Sequence, residues 1–187
     1  MAAATGLGGR ALGGIGARAC RAYVTGASRE AATVTGMKVF ESLDALQAAV
    51  GTEVAVTDWL PMTQERVNRF ADATDDHQWI HVDTERAANG PFGGTIAHGF
   101  LTLSLLPRWM AEAVDVRGVR LVINYGVNRV RFPAPVRVGA RVRARLQLQS
   151  FEPLASGGAH LCWLATVEIE GQPKPACVAE LLLRYVV

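Results

Sequence analysis

A strongly apolar segment, residues 100–114, limits most what this chain can fold into. On a helix its apolar side chains cover nearly the whole circumference, which predicts a buried central helix rather than a surface helix. Pro107 lies inside the segment, and a proline there is expected to kink or divide the helix. The apolar residues are Phe100, Leu101, Leu103, Leu105, Leu106, Trp109, Met110, Ala113 and Val114.

Segments with a period of two follow the helix and predict half-buried strands. Around residues 141–149, arginine and glutamine alternate with apolar residues, residues 161–169 repeat the alternation, and residues 178–187 form a last strand. One buried helix followed by about four antiparallel strands predicts the α+β class. The inward-facing residues are Val142, Ala144, Leu146 and Leu148, then Leu161, Trp163, Ala165, Val167 and Ile169.

The N-terminal part of the predicted domain alternates short elements with helix-capping residues. Residues 42–50 have helical spacing, and residues 53–59 read as a short strand. Thr63 can cap a helix that ends near Thr74, and Asp83 or Thr84 can cap a shorter one that ends before residues 89–91. Residues 75–83 are predicted to form a connecting loop.

The chain of 187 residues is long enough for one domain with a real core, which we place at residues 37–187. Half of the residues are apolar and 19% are charged, which excludes disordered, collagen-like and coiled-coil proteins. Residues 37–187 carry a net charge of −1, so neither nucleic acid nor an acidic membrane is an expected partner. No apolar run of 18 residues exists, so no transmembrane helix is expected.

Residues 1–36 differ in composition and are predicted to be an N-terminal extension, either disordered or a targeting segment. They hold eight of the 19 glycines and four arginines against a single glutamate. The three cysteines form no closely spaced pair, which favours a reducing compartment and a cytoplasmic location. The arginine-rich, acid-poor extension leaves a mitochondrial transit peptide as the alternative, and a start of translation at Met37 as another.

Titratable residues concentrate between residues 71 and 83, where four aspartates and two histidines occur. Asp76 and His81 are five residues apart, which on a helix would separate them by about 140°, so they converge only if the segment turns. A carboxylate and an imidazole that converge can hold a water molecule and move its proton. The alternative is that Asp76 caps a helix and His81 is an ordinary buried histidine. His77 and His81 have metal-pair spacing, but no HExxH pattern surrounds them, so no metal site and no cofactor are predicted.

The sequence Ala97-His98-Gly99-Phe100 opens the predicted central helix. Backbone N–H groups at a helix start are unpaired and carry the positive end of the helix dipole, which suits a carbonyl that gains negative charge. Gly99 would let a ligand approach the backbone closely, although it could equally relieve packing.

Two motifs in this order, Asp-x4-His within residues 70–83 and Ala-His-Gly within residues 90–103, resemble those of the MaoC-like dehydratases, the R-specific enoyl-CoA hydratases of the hot-dog fold. The resemblance extends over residues 38–187. It implies a single hot-dog domain, an antiparallel sheet wrapped around a long buried central helix. It further implies a homodimer paired through edge strands, with the acyl-CoA thioester between the subunits and no cofactor.

The resemblance also implies roles for three residues. Asp76 would act as base toward a water also held by His81, the oxygen adding at C3 and a proton at C2 of a trans-2-enoyl-CoA, which yields the R-3-hydroxyacyl-CoA. The Gly99 N–H would polarise the thioester carbonyl. Asp75 departs from the family pattern, which usually has glycine there, but aspartate tolerates a left-handed backbone better than most residues.

Two other functions remain open at this point. A hot-dog acyl-CoA thioesterase would need a carboxylate early in the central helix, and residues 98–111 contain none. A catalytically silent acyl-CoA-binding module is the second, and Asp75 is the argument for it. A row of arginines either meets coenzyme A phosphates or forms a solvated face; it comprises Arg129, Arg131, Arg137, Arg141, Arg143 and Arg145.

Overall fold

The structure, a computed structural model, describes residues 36–187. The predicted extension lies outside this range except for Gly36, so its boundary and its targeting role stay predictions. The N-terminal half contains β1 (Lys38–Phe40), α1 (Leu43–Gln47), β2 (Glu53–Val56), β3 (Leu60–Pro61), α2 (Gln64–Thr74), α3 (Trp79–Val82) and α4 (Thr84–Ala88). The C-terminal half contains α5 (Gly99–Ser104), α6 (Leu106–Ala113), β4 (Val114–Val116), β5 (Leu121–Arg131), β6 (Arg141–Pro153), β7 (Ala159–Ile169) and β8 (Cys177–Val186).

Helices α2 and α4 begin where the capping residues Thr63 and Asp83 predict them, and α1, predicted from its spacing alone, is also capped. The side chains of Ser42, Thr63 and Asp83 each accept a hydrogen bond from the backbone N–H three residues on. Each cap satisfies one of the N–H groups that the first helical turn leaves without a partner. The segment predicted as a loop contains in addition α3, a single helical turn.

The main sheet is antiparallel, with strand order β2-β6-β7-β8-β5, and β3 pairs with β6 beside β2. Along β6, β7 and β8, buried residues alternate with partly exposed ones, as the period of two predicts. The inward face packs against the central helices and buries Trp109 and Trp163 almost completely. The predicted α+β class is confirmed.

The central helix is present but is divided into α5 and α6 at Leu105. Pro107 lies in the first turn of α6, and because proline has no N–H it cannot continue the hydrogen bonding of α5. The expectation of burial around nearly the whole circumference is wrong. One face packs into the core, whereas Phe100 is 67% exposed and Arg108 and Glu112 pair on the solvent side.

Strand β5 forms one edge of the main sheet, beyond β8, and ten of its 11 residues are exposed. Its pairing with β8 is interrupted by two register shifts. The period-two analysis does not find this strand, because neither of its faces is buried in a single copy of the chain. Within residues 36–187, no helix combines the length and apolarity needed to cross a membrane.

Candidate active site

A left-handed turn ends α2 and directs the chain into the segment that carries the predicted site. Asp75 adopts φ 57° and ψ 19°, and it is the one residue other than glycine with positive φ in the described part of the chain. The backbone needs this conformation because α2 stops at Thr74 and the next residues reverse direction. The expectation that aspartate accepts the glycine-like conformation here is confirmed.

We expect Asp75→Gly to raise the free energy of unfolding by about 0.5 to 1 kcal/mol, since glycine adopts positive φ without the steric cost of a Cβ. The matched control is Ala73→Gly in α2, where the same gain in backbone freedom lowers stability by about 0.5 to 1 kcal/mol. Chemical denaturation of both variants measures the difference. A destabilised Asp75→Gly would show that the aspartate side chain makes a stabilising contact at this turn.

His81 lies in α3 with its ring inside the protein, 6% exposed. Its Nδ1 is 2.7 Å from the backbone oxygen of Ile96, and because a carbonyl only accepts, Nδ1 carries the proton. The N–H of Ile96 in turn donates to the oxygen of Ile80, and the Gln64 side chain donates to the oxygen of His81. The ring is therefore held at Nδ1 and the backbone of His81 is held by Gln64, with the lone pair of Nε2 left as the basic site of the ring.

Burial lowers the pKa of His81 below the ordinary histidine value of 6.5. The hydrogen bond to Ile96 and the charge of Asp76 oppose this change, while the neighbouring His98 reinforces it. The net direction keeps His81 unprotonated at neutral pH, so Nε2 is able to accept a proton.

Asp76 follows the left-handed residue, and its carboxylate is 56% exposed on the protein surface. Side-chain ligand atoms of Asp76, His81 and His98, one from each, all lie within 4.8 Å of one another. The predicted convergence of Asp76 and His81 is therefore present in the structure. A carboxylate and a neutral imidazole at this separation can contact the same small molecule, such as a water.

His98 is the residue that sequence reasoning missed at this site. It is 3% exposed, its ring stacks on that of His81 with 3.7 Å between centroids, and Phe70 packs against it at 5.0 Å. Its Nε2 donates to the backbone oxygen of Asp76 at 2.9 Å. The sequence places His98 beside Gly99 at a helix start, but its contact with residue 76 depends on the fold.

Gly99 is the first residue of α5, where N–H groups lack partners within the helix. A Cβ at this position would lie 3.0 Å from the ring of Phe132, which is too close without a shift of that side chain. Packing is therefore one reason for glycine here, as the sequence allowed. The role of its N–H toward a substrate carbonyl remains a proposal.

Asp76, His81 and His98 are also the residues that could hold a metal ion among those described. Nε2 of His98 is not available to such an ion, because it donates to the backbone oxygen of Asp76. His77, which shares metal-pair spacing with His81, points elsewhere: its side chain is 51% exposed and lies 3.9 Å from Asp72. The donor set thus suits a water or substrate oxygen better than a metal.

The arginines of β6 lie on the outer face of the sheet and pair with glutamates. Arg141 bonds to Glu170, Arg143 to Glu168 and Arg145 to Glu53. Arg143 also stacks on Trp59. These pairs favour the solvated-face interpretation for this part of the arginine row.

Comparison with known proteins identifies the family. A family model described as MaoC like domain matches residues 45–157. The chain belongs to the MaoC-like dehydratase family. The resemblance seen in the motifs is thereby confirmed. The matched residues begin in α1 and end in the turn that follows β6.

Two curated relatives are similar to this MaoC-like chain over most of its length. The 3-hydroxyacyl-thioester dehydratase Z of Mycobacterium tuberculosis is 60% identical over 150 residues, which are 80% of this chain and 99% of that protein. Nodulation protein N of Rhizobium leguminosarum bv. viciae is 44% identical over 140 residues, or 74% of this chain and 87% of that protein.

Among solved structures, the unliganded R-hydratase PhaJ1 of Pseudomonas aeruginosa superimposes with a TM-score of 0.60. The two are 23% identical, and the match covers 73% of this chain and 81% of that one. At this identity the likeness concerns the fold, and it confirms the hot-dog architecture predicted for this MaoC-like chain.

Proposed function

We propose that this chain is a hydro-lyase that adds water to trans-2-enoyl-CoA to give R-3-hydroxyacyl-CoA, and that removes it in the reverse direction. The observation that carries the proposal is the convergence of the Asp76 carboxylate on the buried His81 ring, with His81 Nε2 unprotonated. The similarity to a relative named as a 3-hydroxyacyl-thioester dehydratase supports the reaction class.

In the proposed mechanism one water molecule lies between the Asp76 carboxylate and His81 Nε2. Asp76 takes a proton from this water as its oxygen bonds to C3, and the double bond electrons shift toward the thioester carbonyl. The proton is then delivered to C2, so that one water molecule adds across the double bond. Each proton transfer by a positioned group contributes about 10²- to 10⁴-fold in rate.

The thioester oxygen gains negative charge in this step, and we assign the Gly99 N–H as its hydrogen bond donor. Gly99 is the first residue of α5, so its N–H is not used by the helix. It directly follows His98, whose ring bonds to the backbone of Asp76. One such donor is worth about 2.7 to 4 kcal/mol of transition-state stabilisation. No cofactor enters the proposed reaction.

The structure provides no observation that favours either of the two alternative functions. From Gly99 to Ala111, α5 and α6 present no carboxylate for a thioesterase. The argument for a silent binding module was Asp75, and this residue adopts the left-handed turn without separating Asp76 from His81.

A homodimer is part of the proposal, with β5 as the strand that meets the second copy. Five apolar side chains of this edge strand are between 40% and 55% exposed, and an uncovered apolar edge invites pairing with another strand. The acyl-CoA thioester would then lie between the subunits, and no nucleic acid or membrane takes part. These side chains are Leu121, Val122, Ile123, Tyr125 and Val127.

A cytoplasmic location completes the proposal, supported by cysteines without a closely spaced pair. Mitochondrial import is the alternative, and it depends on residues 1–36. Fractionation of its own cells separates the two locations, whereas the intact mass alone does not, because both import and a start of translation at Met37 would shorten this segment.

The test of the proposed function follows the ultraviolet absorbance of a short and a long trans-2-enoyl-CoA with the full chain. Hydration removes the conjugated absorbance, and an R-specific 3-hydroxyacyl-CoA dehydrogenase then oxidises the product. Release of free thiol instead of hydration would identify a thioesterase. Binding of the thioester without either change would identify a silent module, and both results would overturn the proposal.

The lowered pKa of His81 predicts the pH dependence of the reaction. Because His81 must be unprotonated and its pKa lies below 6.5, the midpoint of the acid-side fall in kcat/KM should lie below pH 6.5. A profile from about pH 5 to 8 measures this. A midpoint above pH 6.5 would contradict the assignment of His81 as the group that must be neutral.

A further inference from the structure

His98 takes no part in the proposed reaction, yet it is buried between the two residues that do. Its ring touches His81 on one side and Phe70 on another, and its Nε2 reaches the main chain of Asp76. A single side chain therefore contacts both members of the proposed acid–base pair.

The hydrogen bond to Asp76 is made to the backbone oxygen and not to the carboxylate. Nε2 lies 2.9 Å from that backbone oxygen and 4.0 Å from Oδ2 of the same residue. Because Asp75 turns the backbone into the left-handed region, the next peptide oxygen points toward His98 while the carboxylate stays half exposed. The bond thus fixes the orientation of residue 76 without using the group that reacts.

The second contact sets the plane of the His81 ring. The two imidazoles are nearly parallel, with 26° between their planes and 3.7 Å between centroids. His81 is held at Nδ1 by Ile96, and a ring held at one atom can still tilt about that bond. Stacking on His98 limits this tilt and so directs Nε2 of His81.

An unpaired atom of His98 indicates that the residue is not there for packing. Its Nδ1 is buried and has no hydrogen bond partner among residues 36–187. A buried polar atom without a partner lowers stability, and an apolar side chain of similar size would avoid this cost. The bond that Nε2 makes to Asp76 offsets this cost, which points to a role in the site.

We propose that His98 is a positioning residue, which aligns the Asp76 carboxylate and the His81 Nε2 by holding the backbone of one and the ring of the other. This inference rests on the proposed function, in which those two groups share one water. A displacement of about 1 Å between such groups costs on the order of 100-fold in rate.

Three substitutions separate positioning from folding. His98→Gln places an amide N–H at about the reach of Nε2, His98→Asn is one carbon shorter and cannot reach the Asp76 oxygen, and His98→Leu has no donor. With trans-2-enoyl-CoA, kcat should fall about 10- to 100-fold in the Asn and Leu variants. It should fall less, about 3- to 10-fold, in the Gln variant, which restores the hydrogen bond to Asp76 but not the ring that stacks on His81. KM should stay within about 3-fold throughout, because His98 does not touch the substrate.

Equal kcat values for the Gln, Asn and Leu variants, at comparable melting temperatures, would overturn the proposal. If the wild type is inactive or the Leu variant folds poorly, a measurement that does not depend on turnover still tests the proposal. Amide hydrogen exchange in residues 75–78 should be faster in the Asn variant than in wild type and close to wild type in the Gln variant. Unchanged exchange in the Asn variant refutes the inference, whereas absence of turnover in wild type refutes only the proposed function.

Discussion

Asp76→Asn is expected to lower kcat for hydration of trans-2-enoyl-CoA by at least about 10²- to 10⁴-fold. The amide keeps the size and shape of the carboxylate, but it replaces one acceptor oxygen with an NH2 donor and cannot take a proton from water. Because the backbone oxygen of Asp76, and not its side chain, bonds to His98, the turn should keep its geometry in the variant. The absorbance assay measures the loss, and KM should change little.

Asp75→Asn is the matched control, since it makes the same change one residue earlier. Asparagine accepts the left-handed backbone at least as well as aspartate, so this variant should fold and keep activity within about 3-fold of wild type. Equal losses in the two variants would show that the negative charge of the turn matters and not the carboxylate of residue 76.

His81→Asn is expected to have the second largest effect, again about 10²- to 10⁴-fold in kcat. The asparagine Nδ2 occupies nearly the position of His81 Nδ1, so it can still donate to the oxygen of Ile96. Only the basic Nε2 is removed. The variant should also lose the acid limb of the pH profile that His81 produces.

His77→Asn provides the control for this substitution, four residues away and on an exposed side chain. It should leave both kcat and the pH profile unchanged, because His77 contacts Asp72 and lies outside the group of residues 76, 81 and 98. An active His81→Asn would remove His81 from the mechanism as a group that holds the reacting water.

The elements that the sequence predicts well are those specified by local interactions. Ser42, Thr63 and Asp83 cap their own helices, and the alternation in β6 to β8 follows directly from one buried face. Strand β5 has no such signature, because neither of its faces is buried within residues 36–187. Pro107 predicts that the central helix is divided, as it is at Leu105. The sequence does not predict that one face of this helix is exposed.

For the site, residue types and family motifs together select Asp76 and His81, and the turn at Asp75 brings them together. The part that sequence reasoning missed is His98. Its bond joins residues that are 22 positions apart, and nothing in the local pattern indicates which carbonyl a buried imidazole will reach. The packing that favours glycine at residue 99 likewise depends on the fold, because it involves Phe132, which lies more than 30 residues later in the chain.

Asp76, His81, His98 and Gly99 all come from one short stretch of a single chain. Every copy therefore carries all residues of the proposed acid–base group, whatever assembly it joins. A copy substituted at Asp76 and a copy substituted at His81 should not restore activity when they assemble together, because neither copy carries both residues. After gene duplication, one copy could lose its acid–base pair and persist as a structural partner without silencing the other.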